Sequence, residues 1–165
     1  MRALVDTHRR FMDLSVVYTN DSVWAEHSIH IMELLLVEEK YKVVGFNLEY
    51  THARAGSRPK VAVAPMCVRH HVLVYHYYLS TRPCEGVASK EHEKDSLVHL
   101  AEAIIDPYYR DMKDSSNKDK CAWHSAWMEK LDKAHVVYAA KEAYTSYDMY
   151  RRIIDMRKSL LPQNS

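Results

Sequence analysis

The first third of the chain contains a helical pattern of apolar residues. They recur at spacings of four, three and four, as one face of an amphipathic helix requires, and they are Ala25, Ile29, Met32 and Leu36. Residues 20–22 (NDS) supply N-cap chemistry, and the helix should end near Glu39. Residues 16–18 form a short β-prone run. Residues 1–15 are only weakly patterned, so we expect a polar arm that is flexible or forms a short helix.

Three β-prone stretches follow this helix. Residues 42–50 (KVVGFNLEY), 61–68 (VAVAPMCV) and 71–78 (HVLVYHYY) are rich in branched and aromatic side chains. Only two residues separate the second stretch from the third, and a link this short joins antiparallel strands. Pro65 cannot donate to a β ladder, so we expect the second strand to lie at a sheet edge or to be bulged there.

The second half of the chain returns to a helical period. We expect a short helix that begins at Asp95 or Ser96 and ends at Asp106, a charged loop over residues 110–122, and a final helix over residues 133–160. The buried stripe of the final helix should consist of Val136, Ala140, Ala143, Tyr147, Tyr150 and Ile154. Trp123 and Trp127 should anchor the turn before it. This order predicts an α/β fold with a single mixed sheet and helices on its faces.

Composition limits what the chain can do. Its 165 residues fit one domain, 1–165. The formal charge is +1, from 23 Lys and Arg against 22 Asp and Glu, whereas a strong sequence-independent grip on a phosphate backbone usually requires a basic surplus. Three glycines, with no GxGxxG motif, exclude the usual nucleotide-cradling loops. Three cysteines without CxxC spacing and the lack of long apolar stretches predict an intracellular protein, nuclear or cytoplasmic, that is not secreted and has no membrane partner.

Three motifs give the chain a resemblance to a known family. Residues 43–49 read VVGFNLE, residues 61–68 read VAVAPMCV, and residues 136–153 read VVYAAKEAYTSYDMYRRI. Together they resemble the Werner-type 3′–5′ exonucleases, in particular the plant Werner-like enzymes, over about residues 40–80 and 95–158. The family patterns are V-G-F-D-x-E, V-A-x-x-Q-L-C-V and Y-A-A-x-D-A-Y. The resemblance implies an RNase H-like fold that retains three antiparallel strands.

The resemblance also implies a catalytic site. In this family four carboxylates hold two divalent metal ions, and a tyrosine orients the attacking water. The leading Asp of the first motif falls on Asn47 and its Glu falls on Glu49. The tyrosine and the last acid fall on Tyr138 and Glu142. Positions 47 and 49 share one face of a strand, and positions 138 and 142 are neighbours on a helix, so we expect Glu49, Tyr138 and Glu142 to cluster in space.

The third acid of the family has no counterpart in the sequence. In the family the third strand is followed by a helix, a strand that carries this acid, and a further strand and helix. Here only the sixteen residues 80–95 lie between the third strand and the next helix, so we expect this middle section to be missing. Asp95 and Asp106 are acids, but a helix cap and a turn explain them better.

These departures shape the expected function. A neutral amide cannot replace a carboxylate that bridges two cations, so we expect a pseudonuclease that acts through protein–protein interaction and needs no cofactor. One alternative is a weak exonuclease that uses magnesium or manganese held by Glu49 and Glu142. Another is a nucleic-acid-binding module without catalysis. The candidate phosphate contacts of such a module are Arg54, Arg58 and Lys60.

The missing middle section also predicts where a partner binds. Without its neighbour, the strand at residues 42–49 would expose unpaired backbone groups and apolar side chains, which favour pairing with another chain. Residues 16–18 could fold back over this edge, but they are too few to cover it. We therefore expect a protein partner or self-association through residues 42–49, most simply with two-fold symmetry.

Overall fold

The computed structural model of the chain describes residues 2–7, 10–51, 60–80 and 125–160. The elements in chain order are β1 (Arg2–Thr7), β2 (Arg10–Thr19), α1 (Ser22–Glu38), β3 (Gly45–Phe46), β4 (Glu49–Tyr50), β5 (Val61–Val68), β6 (His71–Tyr75), a 3₁₀ helix (Tyr77–Leu79) and α2 (Lys133–Leu160). The helix expected near residues 95–106, the charged loop and Trp123 lie outside the described residues. Neither described helix combines the length and the apolar character that crossing a membrane requires.

The N-terminal residues form strands, so the expectation of a polar arm or short helix over residues 1–15 was wrong. β1 and β2 pair antiparallel, from Arg2 opposite Ser15 to Thr7 opposite Arg10. The cause is visible where side chains are described, because Leu14 and Val16 are buried while Asp13 and Ser15 are exposed. This is the period of two that a half-buried strand requires.

The sheet is mixed, with strand order β1-β2-β6-β5-β3, and β4 also pairs with β5. β2 and β6 are parallel, and the other pairs are antiparallel. The three predicted antiparallel strands are therefore present as β3–β4, β5 and β6. Residues 16–18 lie in β2 beside β6, with Val16 opposite Val72. β6 and β5 separate them from β3, so the idea that they fold back over residues 42–49 was wrong.

Pro65 explains why the predicted strand at residues 42–50 is split into β3 and β4. Its carbonyl accepts from the backbone N–H of Asn47 at 3.1 Å, so its backbone faces this pair of short strands. Proline has no N–H to donate back, and the ladder breaks between Phe46 and Glu49, with a register shift at β4. β5 is interior among the described strands, so the expectation that Pro65 lies at an edge was wrong. β5 is also continuous through Pro65 and in regular register with β6 there, and the register shift lies opposite Val63 and Val61 instead.

The two helices cover opposite faces of the sheet. α1 begins as predicted, because the carboxylate of Asp21 accepts from the N–H of Val23 at 2.9 Å. Its buried residues are Ala25, Ser28 and Met32. Ile29 is exposed, contrary to the prediction. Ser28 takes its place towards the sheet because its hydroxyl hydrogen-bonds the ring Nε2 of His71 at 2.8 Å.

α2 packs on the other face with the larger core cluster. This cluster joins sheet residues and helix residues, among them Leu14, Val16, Val72, Val74, Val136, Ala140, Ala143 and Tyr147. The predicted bounds of the helix, 133–160, are confirmed. Tyr150, expected on the buried stripe, is exposed. The first half of α2 therefore packs against the sheet. The predicted site residues that α2 carries lie in this half.

Candidate functional site

The break between β3 and β4 places Asn47 where two carboxylates meet. Its amide Nδ2 donates to Glu49 Oε1 at 3.2 Å and to Glu142 Oε2 at 3.3 Å. Because both carboxylates accept from the same nitrogen, the distance between Glu49 Oε1 and Glu142 Oε2 cannot exceed the sum of these two hydrogen-bond lengths. Glu142 is buried, and Asn47 and Glu49 are partly buried. We call Asn47, Glu49, Tyr138 and Glu142 the acidic site.

Gly45 allows α2 to approach the strand closely enough to build this site. A Cβ atom added there would lie 2.6 Å from Tyr147 Cβ and would come nearer still to the carbonyl oxygen of Ala143. Any larger residue would therefore push the helix away. Because Glu142 lies on the same turn of α2 as Ala143, this close contact also sets the distance between Glu142 and the β3–β4 segment.

Tyr138 completes the acidic site. Burial raises the pKa of Tyr138, and the negative charges of Glu142 and Glu49 raise it further, together with a hydrogen bond to Glu142. The phenol therefore stays neutral at physiological pH and can donate to the Glu142 carboxylate. Tyr138 and Glu142, four residues apart on α2, therefore lie close to Glu49 on β4, as the resemblance predicted.

The remaining predicted residues are not part of this cluster. Lys60 is exposed immediately before β5, where its backbone N–H donates to the Thr51 hydroxyl at 3.0 Å. Arg54 and Arg58 lie outside the described residues, as do Asp95 and Asp106. The missing middle section and the third acid fall in residues 81–124, which also lie outside them, and stay predictions.

A polar network that was not predicted from the sequence holds the segment that leads into α2. His76 is fully buried, and its Nε2 bonds the carbonyl oxygen of Trp127 at 3.1 Å. Its Nδ1 bonds the Tyr18 hydroxyl at 2.8 Å, and that oxygen accepts from the N–H of Leu131 at 3.0 Å. The network holds residues 127–131 against the sheet. The sequence contains one indication of this network: His76 is a polar residue within an otherwise apolar strand segment.

The acidic site can be tested against the ligands that a two-metal centre needs. Such a centre holds two cations about 4 Å apart with several carboxylate oxygens. Across residues 2–7, 10–51, 60–80 and 125–160, no three His, Cys, Asp or Glu side chains are grouped so that they could hold a metal ion. Asn47 directs an N–H₂ group, a donor without a lone pair to offer, at the two carboxylates. The described residues therefore do not fit a two-metal centre.

Comparison with known proteins supports the fold. The EXO domain of Nibbler from Aedes aegypti superposes with a TM-score of 0.60 at 12% identity, over 94% of this chain and 94% of that domain. No family model matches the sequence, and no curated protein matches it. An identity this low establishes the fold alone. The predicted fold class, an RNase H-like α/β fold with a mixed sheet, is confirmed, and the fold resembles a 3′–5′ exonuclease domain.

Proposed function

We propose that the chain is an inactive member of the Werner-type 3′–5′ exonucleases, related to the plant enzymes, and that it acts by binding a partner protein. The observation that carries this proposal is the Asn47 amide between Glu49 and Glu142. A hydrogen-bond donor sits where the family resemblance calls for a metal-bridging carboxylate. The two glutamates and the tyrosine lie together, and position 47 lacks the negatively charged ligand that two-metal chemistry would need.

The expected loss of activity is large. Removing a preorganised electrostatic group from an active site costs about 3–4 kcal/mol of transition-state stabilisation, or roughly a thousandfold in rate. A bridging carboxylate in a two-metal centre acts on both cations, so its replacement by an amide should cost at least as much. The chain then needs neither magnesium nor manganese for its function.

The proposed partner surface is the edge of the sheet at residues 42–49. β3 is the last strand on this side among the described strands. Gly45 faces α2, so the neighbouring side chains of Val44 and Phe46 point to the opposite face, where they are 41% and 47% exposed. An apolar strand at a sheet edge favours pairing with a strand of another protein.

Two alternatives keep specific support. A weak metal-dependent exonuclease would use Glu49, Glu142 and an acid from residues 81–124, which contain several. A nucleic-acid-binding module would use the basic side chains of Arg54, Arg58 and Lys60, although the formal charge of +1 weighs against it.

Nuclease assays on single-stranded and recessed-end DNA, with magnesium or manganese, test the proposal. We expect no 3′–5′ ladder from the wild-type chain. A ladder that Glu49→Ala abolishes would establish the weak exonuclease instead. DNA binding without cleavage, weakened by salt and by Lys60→Ala, would favour the binding module.

Asn47→Asp is the informative second variant. It restores the charge at the family position, but we expect it to remain far below full activity because the resemblance identifies no residue as the third acid. Full activity in this variant would show that the third acid is present and that Asn47 alone silences the site.

A further inference from the structure

The second half of α2 has an exposed apolar side. It follows the close contact between Tyr147 and Gly45, which ties the first half of the helix to the sheet. Beyond that contact Tyr150, Ile153 and Met156 are 45%, 40% and 45% exposed. At about 100° per residue, a spacing of three places these side chains within an arc of about 120° on the helix surface. They therefore form one apolar patch, whereas single exposed apolar side chains would need no explanation.

The charges around this patch are unevenly distributed. Arg157 lies within the same arc, and Arg152 lies about 40° outside it. The two aspartates of this part of the helix, Asp148 and Asp155, lie on the opposite side, where Asp148 pairs with Arg152 at 2.9 Å. The exposed side therefore combines apolar residues with positive charge and contains no acid. We call it the basic apolar face, and it consists of Tyr150, Ile153, Met156 and Arg157.

Tyr41 holds this part of α2 from the opposite side. Its hydroxyl donates to Asp155 Oδ1 at 2.6 Å and accepts from Lys158 Nζ at 3.1 Å. The Lys158 ammonium also lies 4.5 Å from the centre of the Tyr41 ring. Because these contacts support the helix from behind, the basic apolar face is already formed before anything binds to it. A preformed surface avoids part of the entropic cost of binding.

We propose that the basic apolar face binds an acidic amphipathic helix of another protein. Side chains three apart form a ridge that packs into the groove between the side chains of a second helix. Glutamate or aspartate beside the apolar stripe of that helix would complement Arg157 and Arg152. A second copy of the same face would instead set arginine against arginine, so charge disfavours self-pairing here.

Two other classes of anionic ligand fit this face less well. A phosphate backbone is bound mainly by cationic and polar groups, whereas three of the four residues of the face are apolar or aromatic. A helix that lies on a membrane surface carries Lys and Arg along its polar side, and on α2 that side carries Asp148 and Asp155. An acidic helix with an apolar stripe matches both properties of the face.

The proposal rests on the part of the proposed function that assigns a role in protein binding, and it adds a surface on a different element from the sheet edge. Three half-exposed side chains make a small contact, below the roughly 1,000 Å² of a stable interface. We therefore expect a transient complex with a dissociation constant of about 100 µM.

An NMR titration of the full chain with a synthetic peptide tests the proposal. The probe is an amphipathic helical peptide with leucine on one side and glutamate on both margins of that side, and its counterpart has lysine in place of glutamate. The glutamate peptide should shift the amide signals of residues 149–157, and the lysine peptide should bind at least about tenfold more weakly. No shifts at about 1 mM peptide, or equal binding of the two peptides, would overturn the proposal.

Substitutions separate the apolar part of the face from its charge. Met156→Asp should weaken binding of the glutamate peptide at least about tenfold, and Arg157→Glu should reduce its advantage over the lysine peptide to less than about threefold. Leu34→Asp, a change at a 56% exposed position of α1, is the matched control and should leave the affinity unchanged. Circular dichroism of each variant verifies folding. An equal loss in Leu34→Asp and Met156→Asp would contradict the assignment.

Titrations with two further probes test the other ligand classes. They are phosphatidylcholine vesicles with about one quarter phosphatidylserine and a single-stranded DNA of about twelve nucleotides. Both should bind the face more weakly than the glutamate peptide does. Tighter binding of either one, lost in Met156→Asp, would overturn the proposal and assign the face to that ligand. No readout uses nuclease activity or the sheet edge, so failure here is distinguishable from failure of the proposed function.

Discussion

At position 47 the side chain is an amide, and its two N–H hydrogens go to the carboxylates of Glu49 and Glu142. Two carboxylates this close repel each other unless a donor or a cation lies between them. The amide therefore stabilises the site without a metal. The clustering of these site residues could be predicted from the sequence, because side chains two residues apart on a strand, or four apart on a helix, point in the same direction. The way in which it satisfies the two acids required the structure.

Asn47→Asp should make the stability of the protein depend on divalent cations. Three carboxylates would then repel one another, and we expect a loss of about 1–3 kcal/mol in EDTA, or roughly 2–10 °C in melting temperature. Manganese should restore part of that loss. Asn47→Leu removes the donors without adding charge, so its melting temperature should fall without responding to manganese. Thermal melts of the three proteins in EDTA and in manganese make this comparison, and an Asn47→Asp chain as stable as wild type in EDTA would contradict it.

Gly45→Ala should disturb the acidic site from a distance. The added methyl group would meet the backbone of α2 at Ala143 and Tyr147, and overpacking of this kind costs about 1–3 kcal/mol. Ser146→Ala is a matched control in the same contact, because it removes only a 3.4 Å hydrogen bond to the Phe46 carbonyl, and it should cost less than about 1 kcal/mol. Urea unfolding measures both, and equal losses would show that the close approach at Gly45 is unimportant.

Among the elements, those with a strong local signal were predicted well. α1 and its Asp21 cap, β5 and α2 follow from periodicity and capping, which depend on neighbouring residues. The β1–β2 hairpin was missed because its polar residues hide the period of two. The parallel pairing of β2 with β6 could not be predicted, since it joins residues more than fifty positions apart. The irregularity expected within β5 at Pro65 is not seen, and the break lies in the strand opposite it.

The segment before α2 should weaken in acid because of His76. Burial lowers the pKa of His76, and its hydrogen bond to Trp127 opposes this only in part. The folded protein therefore binds fewer protons than the unfolded chain, so stability is full above about pH 6.5 and falls as the pH drops below that value. We expect a loss of about 1 kcal/mol between pH 7.5 and 5.5, although the lowered pKa of His71 contributes in the same direction.

Urea unfolding of wild type and His76→Gln at both pH values isolates this contribution. The variant should be less stable at pH 7.5, because the bonds to Tyr18 and Trp127 are weakened or lost, and its stability should depend less on pH. His71→Gln serves as the control for the second buried histidine, on the other face of the sheet. An unchanged pH dependence in His76→Gln would mean that His76 is not the group that titrates.

At the scale of the whole molecule, the sheet separates two faces, each with its own core cluster and its own helix. α2 and the β3–β4 segment build the acidic site on one face, and α1 covers the other face. Exposed apolar residues lie on α1, at the edge of the sheet and on the second half of α2. The formal charge of +1 gives the chain little of the basic surplus that a strong, sequence-independent grip on a phosphate backbone usually requires.

Hydrogen exchange should show whether the sheet edge is available to a partner. The N–H of Asn47 points towards β5, where it bonds the Pro65 carbonyl. Backbone groups alternate in direction along an antiparallel strand, so the N–H groups of Val44 and Phe46 point away from β5. At low concentration we expect the Val44 and Phe46 amides to exchange much faster than that of Asn47, and Val44→Lys to leave the free energy of unfolding within about 0.5 kcal/mol of wild type. Slow exchange at Val44 and Phe46 in the monomer would mean that another part of the chain already covers this edge, and the proposed partner surface would then be wrong.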